Sequence, residues 1–220
     1  MAQGFPVTLC LADRPCLVVG GGRVATRKVR SLLDAGARVR VVAPELKEEL
    51  RELAARGVII CEARPVSLDD LGGAFLVVSA ADDPAANELI GRAALAAGLL
   101  VNVVDQPALC NFFVPATFHR GPVSVAISTN GSSPLLARRL REELEKVVGP
   151  EYGALAELLG RLRQEFTARC PDAAARAHTW DTLGLPPILA LLGAGQAEAA
   201  AALVQAHLEE ACTQATKEDG

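Results

Sequence analysis

From residue 16 the chain alternates two kinds of block. Short β-branched runs that are apolar on both faces, CLVV (16–19), RVRVVA (38–43), VIIC (58–61), FLVVS (75–79) and LLVNVV (99–104), are separated by longer runs with helical spacing. Buried parallel strands read this way. The longer runs VATRKVRSLLDAG (24–36), ELKEELRELAARG (45–57) and PAANELIGRAALAAG (84–98) each close on glycine, and Pro84 stands where a first helical turn tolerates it. Strand and helix repeated at this interval predict a doubly wound, Rossmann-like α/β domain over residues 1–111.

Beyond that point the period changes. NFFVPATFHRGPVSVAIST (111–129) reads as two strands around a turn at Arg120, Gly121 and Pro122. In the second strand Val123, Val125 and Ile127 face one way and Ser124, Ala126 and Ser128 the other. A helix then opens with Ser133 as N-cap and Pro134 at its first position, carries Leu136, Leu140, Leu144 and Val148 at four-residue spacing, and stops at Gly149-Pro150. These strands and this helix form a segment over 112–150. The remainder, 151–220, is alanine- and leucine-rich, holds no strand candidate, and is broken by Cys170-Pro171 and Pro186-Pro187. It predicts a small helical domain whose last residues, TKEDG, fray.

Composition narrows the class. A chain of 220 residues with 50% hydrophobic and 22% charged residues can bury a proper core. It has no uninterrupted apolar run long enough to span a membrane and no basic-then-apolar leader, so a cytoplasmic protein is expected. Cys10, Cys16, Cys61, Cys110, Cys170 and Cys212 are scattered singly, without a C-x-x-C pair, and read as buried thiols. The net charge of −4 disfavours general nucleic-acid binding. No histidine or carboxylate cluster stands at ligand spacing, so no permanent metal site is expected.

Gly20-Gly21-Gly22-Arg23-Val24-Ala25 fits G-x-G-x-x-G/A directly after a strand and at the start of a helix. Gly20 permits the tight turn, Gly22 lets backbone approach a pyrophosphate, and Ala25 allows close helix-to-strand packing. The second strand runs into Val42-Ala43-Pro44 with Glu45 beyond; Glu45 is placed either to reach a ribose or to complement a helix dipole. No arginine follows to meet a 2′-phosphate, which favours NAD over NADP. Asp105 closes the fifth strand, where ligands of open α/β sheets bind, and reads either as a proton-handling acid or as a loop aspartate bonded to backbone. Asp82 and Asp83 end the fourth strand, with Asp83-Pro84 an ordinary helix entry. His119 in the hairpin either lines a site or is a solvated turn residue, and His178 and His207 read as surface. The run ARRLREELEK (137–146) is a solvated face with opposite-charge pairs, or a source of charge for an acidic ligand.

GGGRVATRK (20–28), VVAPEL (41–46), VNVVD (101–105), CNFFVPA (110–116) and AISTNGSSPLLARRLR (126–141) resemble the precorrin-2 dehydrogenase and sirohydrochlorin ferrochelatase family, also found as the N-terminal part of sirohaem synthases. The resemblance covers roughly residues 5–148. It implies NAD-dependent oxidation of precorrin-2 to sirohydrochlorin by a homodimer, with the strands and helix after residue 111 at the interface. Gly20, Gly22, Arg23 and Val24 then meet the cofactor's phosphate region and Ala43 and Pro44 its adenosine end, and Ala81 completes the cofactor set. The resemblance makes Asp105 the key acid and puts Ser128 near the tetrapyrrole. Asn111, His119 and Arg138 are further substrate-binding candidates, and Arg139 and Arg141 offer additional charge to the substrate's carboxylates. Some relatives also insert ferrous iron, and others hand their product to a separate chelatase. The sequence departs from the family at SAADD, where many relatives have threonine before the two aspartates, and at His119. With no methyltransferase-like segment among these residues, the uroporphyrinogen methylation done by longer sirohaem synthases is not expected of them. A non-catalytic NAD- or tetrapyrrole-binding regulator is the competing class. A short-chain oxidoreductase is disfavoured because the single tyrosine, Tyr152, lies outside the α/β part.

Overall fold

The computed structural model describes residues 4–170 and 172–218. It divides into two compact units, Gly4–Val114 and the chain from Pro115 onward.

In the first unit, strands β1 (Pro15–Val19), β2 (Arg38–Val42), β3 (Ile60–Glu62), β4 (Leu76–Ser79) and β5 (Leu100–Val103) form one parallel sheet in the order β3-β2-β1-β4-β5. The central strands are fully covered: Leu17, Val18, Val41, Val42 and Val77 are buried. One face carries helices α1 (Arg23–Asp34) and α2 (Glu48–Ala55) through Ala25, Val29, Leu32 and Leu50; the other carries α3 (Pro84–Ala96) through Ile90 and Ala94. This is the expected Rossmann-like α/β architecture.

Two details differ from the expectation. The third strand is an edge, short and shifted toward its C-terminal end, and Ile60 is 63% exposed. Its backbone pairs on one side only, with β2. Helix α2 also starts at Glu48 rather than Glu45, with Glu48 and Glu49 supplying its first-turn acids.

In the second unit, β6 (Ala116–Arg120) and β7 (Val123–Ile127) form the expected antiparallel hairpin, with Phe118 buried. Helix α4 (Pro134–Val147) is capped by the Ser133 side chain, which accepts from the Leu136 N–H at 3.2 Å. Helices α5 (Pro150–Arg169), α6 (Ala173–Thr182), α7 (Leu185–Gly193) and α8 (Ala197–Glu218) follow. A Cβ on Gly153 of α5 would lie 2.6 Å from the Arg120 carbonyl, so glycine lets the hairpin turn sit on that helix.

Helix α5 ends at Cys170, as expected, although Pro171 lies outside the described residues. Pro186-Pro187 does not break a helix; it forms the first turn of α7, where missing N–H groups cost nothing. A further break falls at Ala194–Gln196, with Gly195 at φ +74°. Helix α8 continues to Glu218 where fraying was expected, and residues 219 and 220 lie outside the described residues. Cys16 and Cys170 are buried, but Cys10 is exposed and the other three thiols are partly covered. Burial pushes the Cys16 thiol up to about 11. His207 is partly exposed, and its Nε2 lies 3.0 Å from the Thr179 carbonyl, linking α8 to α6.

Candidate functional site

The turn after β1 is wedged between two other loops. Gly20 has φ +115°, and a Cβ there would lie 2.3 Å from the Ala80 carbonyl oxygen. A Cβ on Gly21 would lie 1.9 Å from the Glu45 carbonyl oxygen, and the Gly21 carbonyl accepts from the Lys47 N–H at 3.0 Å. Gly22 differs. A Cβ there would meet no protein atom within 4 Å, and Gly22 is the N-cap of α1 without any side-chain cap. An open approach to uncapped N–H groups at a helix N-terminus fits a pyrophosphate. Gly21's role escaped the sequence, because its neighbour lies 24 residues along the chain.

Beside this turn lies a cavity of about 610 Å³ at the C-terminal ends of β1, β2 and β4. Gly20, Ala43, Pro44 and Ala81 line it, together with Val66 and Leu89. Gly22, Arg23 and Val24 are not in its wall but open α1 next to it. Glu45 lines the cavity and precedes α2, so of its two readings the helix-dipole role is displaced by Glu48 and Glu49. Asp82 also lines it, and Asp83 caps α3 by accepting from the Ala85 N–H at 2.9 Å. The size and mainly apolar lining suit a small organic ligand held by a few polar groups.

Asn87 shapes this wall and was not foreseen. Buried in α3, its Oδ1 accepts from the Ser79 hydroxyl at 2.7 Å and the Ala81 N–H at 3.1 Å, while its Nδ2 donates to the Ala81 carbonyl at 2.8 Å. The β4–α3 loop is thereby held where Ala80 meets Gly20. An asparagine among Ile90, Gly91 and Ala94 on the sheet-facing side of α3 was the available signal.

At the end of β5, Asp105 is exposed and left-handed, with φ +59°. Its turn closes over Cys110, whose Sγ lies 3.2 Å from the Val103 amide nitrogen, 3.2 Å from the Val103 carbonyl and 3.3 Å from the Gln106 carbonyl. Burial pushes the Cys110 thiol up, so it acts here as a neutral hydrogen-bonding group. Asp105 does not line the dinucleotide cavity. Asn111, expected to meet substrate, is spent otherwise: its Oδ1 accepts from the Val101 N–H at 2.8 Å and its Nδ2 donates to the Leu99 carbonyl at 2.7 Å. It continues the edge of β5.

The remaining candidates belong to the second unit. Ser128 is exposed, and its hydroxyl accepts from the Asn130 N–H at 3.1 Å. His119 is exposed, with Nδ1 2.9 Å from the Ser124 hydroxyl. Arg138 and Arg139 pair with Glu142, and Arg141 bonds to Glu145 at 2.7 Å. Among the described residues no group of three or more His, Cys, Asp or Glu could hold a metal ion.

A parallel sheet in this order, a glycine turn open over a helix N-terminus and the adjoining cavity define a dinucleotide-binding protein. Residues 7–116 match the family described as putative NAD(P)-binding, 120–146 the sirohaem biosynthesis protein central region, and 151–208 the sirohaem synthase dimerisation region. The chain belongs to the putative NAD(P)-binding family. It is similar to the siroheme synthase of Methylococcus capsulatus, 43% identical over 88% of this chain and 41% of that one. It is similar also to that of Nitrosococcus oceani, 41% identical over 94% of this chain and 44% of that one. The chain thus spans less than half the length of these curated relatives. A solved structure, SirC, a precorrin-2 dehydrogenase, superposes with a TM-score of 0.71 at 29% identity, covering 94% of this chain and all of that one.

Proposed function

We propose that the chain oxidises precorrin-2 to sirohydrochlorin, with NAD taking two electrons and one proton as hydride and a second proton leaving the substrate. The observation that carries this reading is the match along the whole of SirC, together with an open Gly22 turn and an acid, Asp105, at the end of β5. When bound, NAD supplies the hydride acceptor. Gly20 and Gly22, with Arg23 and Val24 at the start of α1, hold its pyrophosphate; Ala43, Pro44 and Ala81 border its adenosine and ribose. Glu45 in the cavity wall suits ribose hydroxyls and opposes a 2′-phosphate, which favours NAD over NADP.

Asp105 takes the proton released from the macrocycle. Its carboxylate is exposed at the end of β5, open to a proton from a bound ligand. Ser128, His119 and Arg138 are assigned to substrate, and Asn111 to the support of β5.

The dimerisation region points to a pair of chains, and we assign α4 to that contact. Only Ala137 of α4 is buried, while Leu135, Leu136, Leu140, Leu144 and Val147 are all exposed. An apolar stripe of this length marks an interaction surface. No described helix is long and apolar enough to cross a membrane. A cytoplasmic setting suits six uncrosslinked cysteines.

The test is an anaerobic assay with enzymatically generated precorrin-2 and NAD, following NADH and the sirohydrochlorin spectrum, with ferrous iron added afterwards. Absence of both NADH and sirohydrochlorin refutes the reading. Acceleration of the sirohaem spectrum by the protein assigns iron insertion to the same chain; a metal step at the spontaneous rate assigns it to a separate chelatase.

A further inference from the structure

The arginines of α4 that the sequence offered for an acidic ligand already face Glu142 and Glu145. A cation of the first unit is in a different position. Lys28, in the second turn of α1, is partly buried and among the described residues has neither a carboxylate partner nor a hydrogen bond. Its ammonium lies within electrostatic reach of Arg27 and of the Cys110 thiol. Burial and then Arg27 lower its pKa.

Cys110 fixes where this cation stands relative to the chemistry. Its sulfur sits inside the turn that carries Asp105, bonded to Val103 and Gln106 on either side of that acid. Helix α1 packs against β4, the neighbour of β5, and Leu100 and Phe112 pack against the same buried cluster as its Ala25 and Val29, so Lys28 stands toward the β5 end of the sheet. It is not in the wall of the dinucleotide cavity, and the pyrophosphate site at Gly22 lies more than a turn earlier on α1. A partly buried ammonium with no counter-charge is unfavourable, and an anionic ligand group relieves that cost. A lysine is suited to the task, because its charge sits on a flexible four-carbon stem.

Resting on the tetrapyrrole reading above, we propose that Lys28 is a substrate-binding residue whose ammonium takes a carboxylate of the acidic macrocycle and fixes which edge of the ring lies beside Asp105. The carboxylate needs to be on the substrate, since the negative charge of NAD is confined to its pyrophosphate.

The experiment compares wild type with Lys28→Met, which keeps the apolar stem, and Lys28→Arg, which keeps the charge. Calorimetry gives the Kd for NAD, and the anaerobic assay gives KM and kcat for precorrin-2. Loss of a charge-assisted contact predicts a KM raised roughly tenfold to a hundredfold in Lys28→Met. NAD affinity is expected to be unchanged, the melting temperature unchanged or higher, and most of the loss recovered in Lys28→Arg. An unchanged KM in Lys28→Met overturns the proposal, as does a loss of NAD affinity, which assigns the lysine to the cofactor. Should wild type fail to oxidise precorrin-2, the functional reading falls by itself, and Lys28 is judged by sirohydrochlorin binding followed by absorbance. Weaker binding by Lys28→Met than by wild type then supports the contact; equal binding overturns it.

Discussion

Adjacent glycines in one turn should respond to the same added methyl in opposite ways. In Gly21→Ala the new Cβ would start 1.9 Å from the Glu45 carbonyl oxygen, about 1.5 Å inside ordinary contact, and both sides are backbone. Forcing the two loops apart should cost about 2 kcal/mol, lowering the melting midpoint of the first unit by roughly 10 °C. In Gly22→Ala the Cβ meets no protein atom, and φ −81°, ψ −172° is extended backbone open to any residue. Only a weaker N-cap is lost, under about 1 kcal/mol. The methyl instead fills the side from which a pyrophosphate approaches, and NAD should bind at least about tenfold more weakly, or ~1.4 kcal/mol. Differential scanning calorimetry and isothermal titration with NAD separate the two effects. If Gly22→Ala binds NAD within about twofold of wild type, the phosphate assignment is wrong; if Gly21→Ala melts with wild type, the wedge between the β1 and β2 loops is wrong.

Asp105→Asn keeps the shape of the turn but removes the proton acceptor, so kcat for precorrin-2 should fall by roughly 10²–10⁴ with NAD affinity unchanged; full activity would return Asp105 to the role of a loop residue. Asp70 is 3% exposed, pairs with Arg40 and Arg64, and accepts from the Ser67 N–H at 2.8 Å. The Arg64 side chain, with Ser67 and Arg40, holds its carboxyl below the usual range against the opposing effect of burial. With the folded pKa below the unfolded one, its contribution is present above about pH 4 and lost as pH falls toward the folded value. Asp70→Asn should therefore cost about 1–3 kcal/mol at pH 7, a figure moderated by the partial exposure of both arginines. It should also weaken the acid limb of a urea-stability profile, and an unaltered slope below pH 4 would contradict the linkage. Leu136→Glu with Leu140→Glu places two charges on the exposed stripe of α4 and should shift the mass in light scattering from dimer to monomer; a mass unaffected by both would place the contact elsewhere.

Local chemistry made much of this protein readable in one dimension. The glycine turn, the alternation of strand and helix, the Ser133 cap and the hairpin around Gly121 each depend on residues a few positions apart, where period and capping express themselves directly. Boundaries suffered where local signals competed. Pro186-Pro187 looked like an interruption, yet proline is equally at home in a first helical turn, and the chain upstream, at Leu183-Gly184, decided between them. Glu45 had two readings until α2 was seen to begin three residues later.

Tertiary structure decided what depends on distant segments. The sheet order brings Ala80 to Gly20 and Glu45 to Gly21, so two glycines that look interchangeable are required for different reasons while the third stays open. Asn87 became the clamp of the β4–α3 loop, Asn111 an extension of β5, and Cys110 the centre of the Asp105 turn. Each of these polar groups is bound by backbone that folding carries to it. A sequence records which donors and acceptors exist, whereas the packing of the sheet determines which are spent on the fold and which, like the ammonium of Lys28, are left for a ligand.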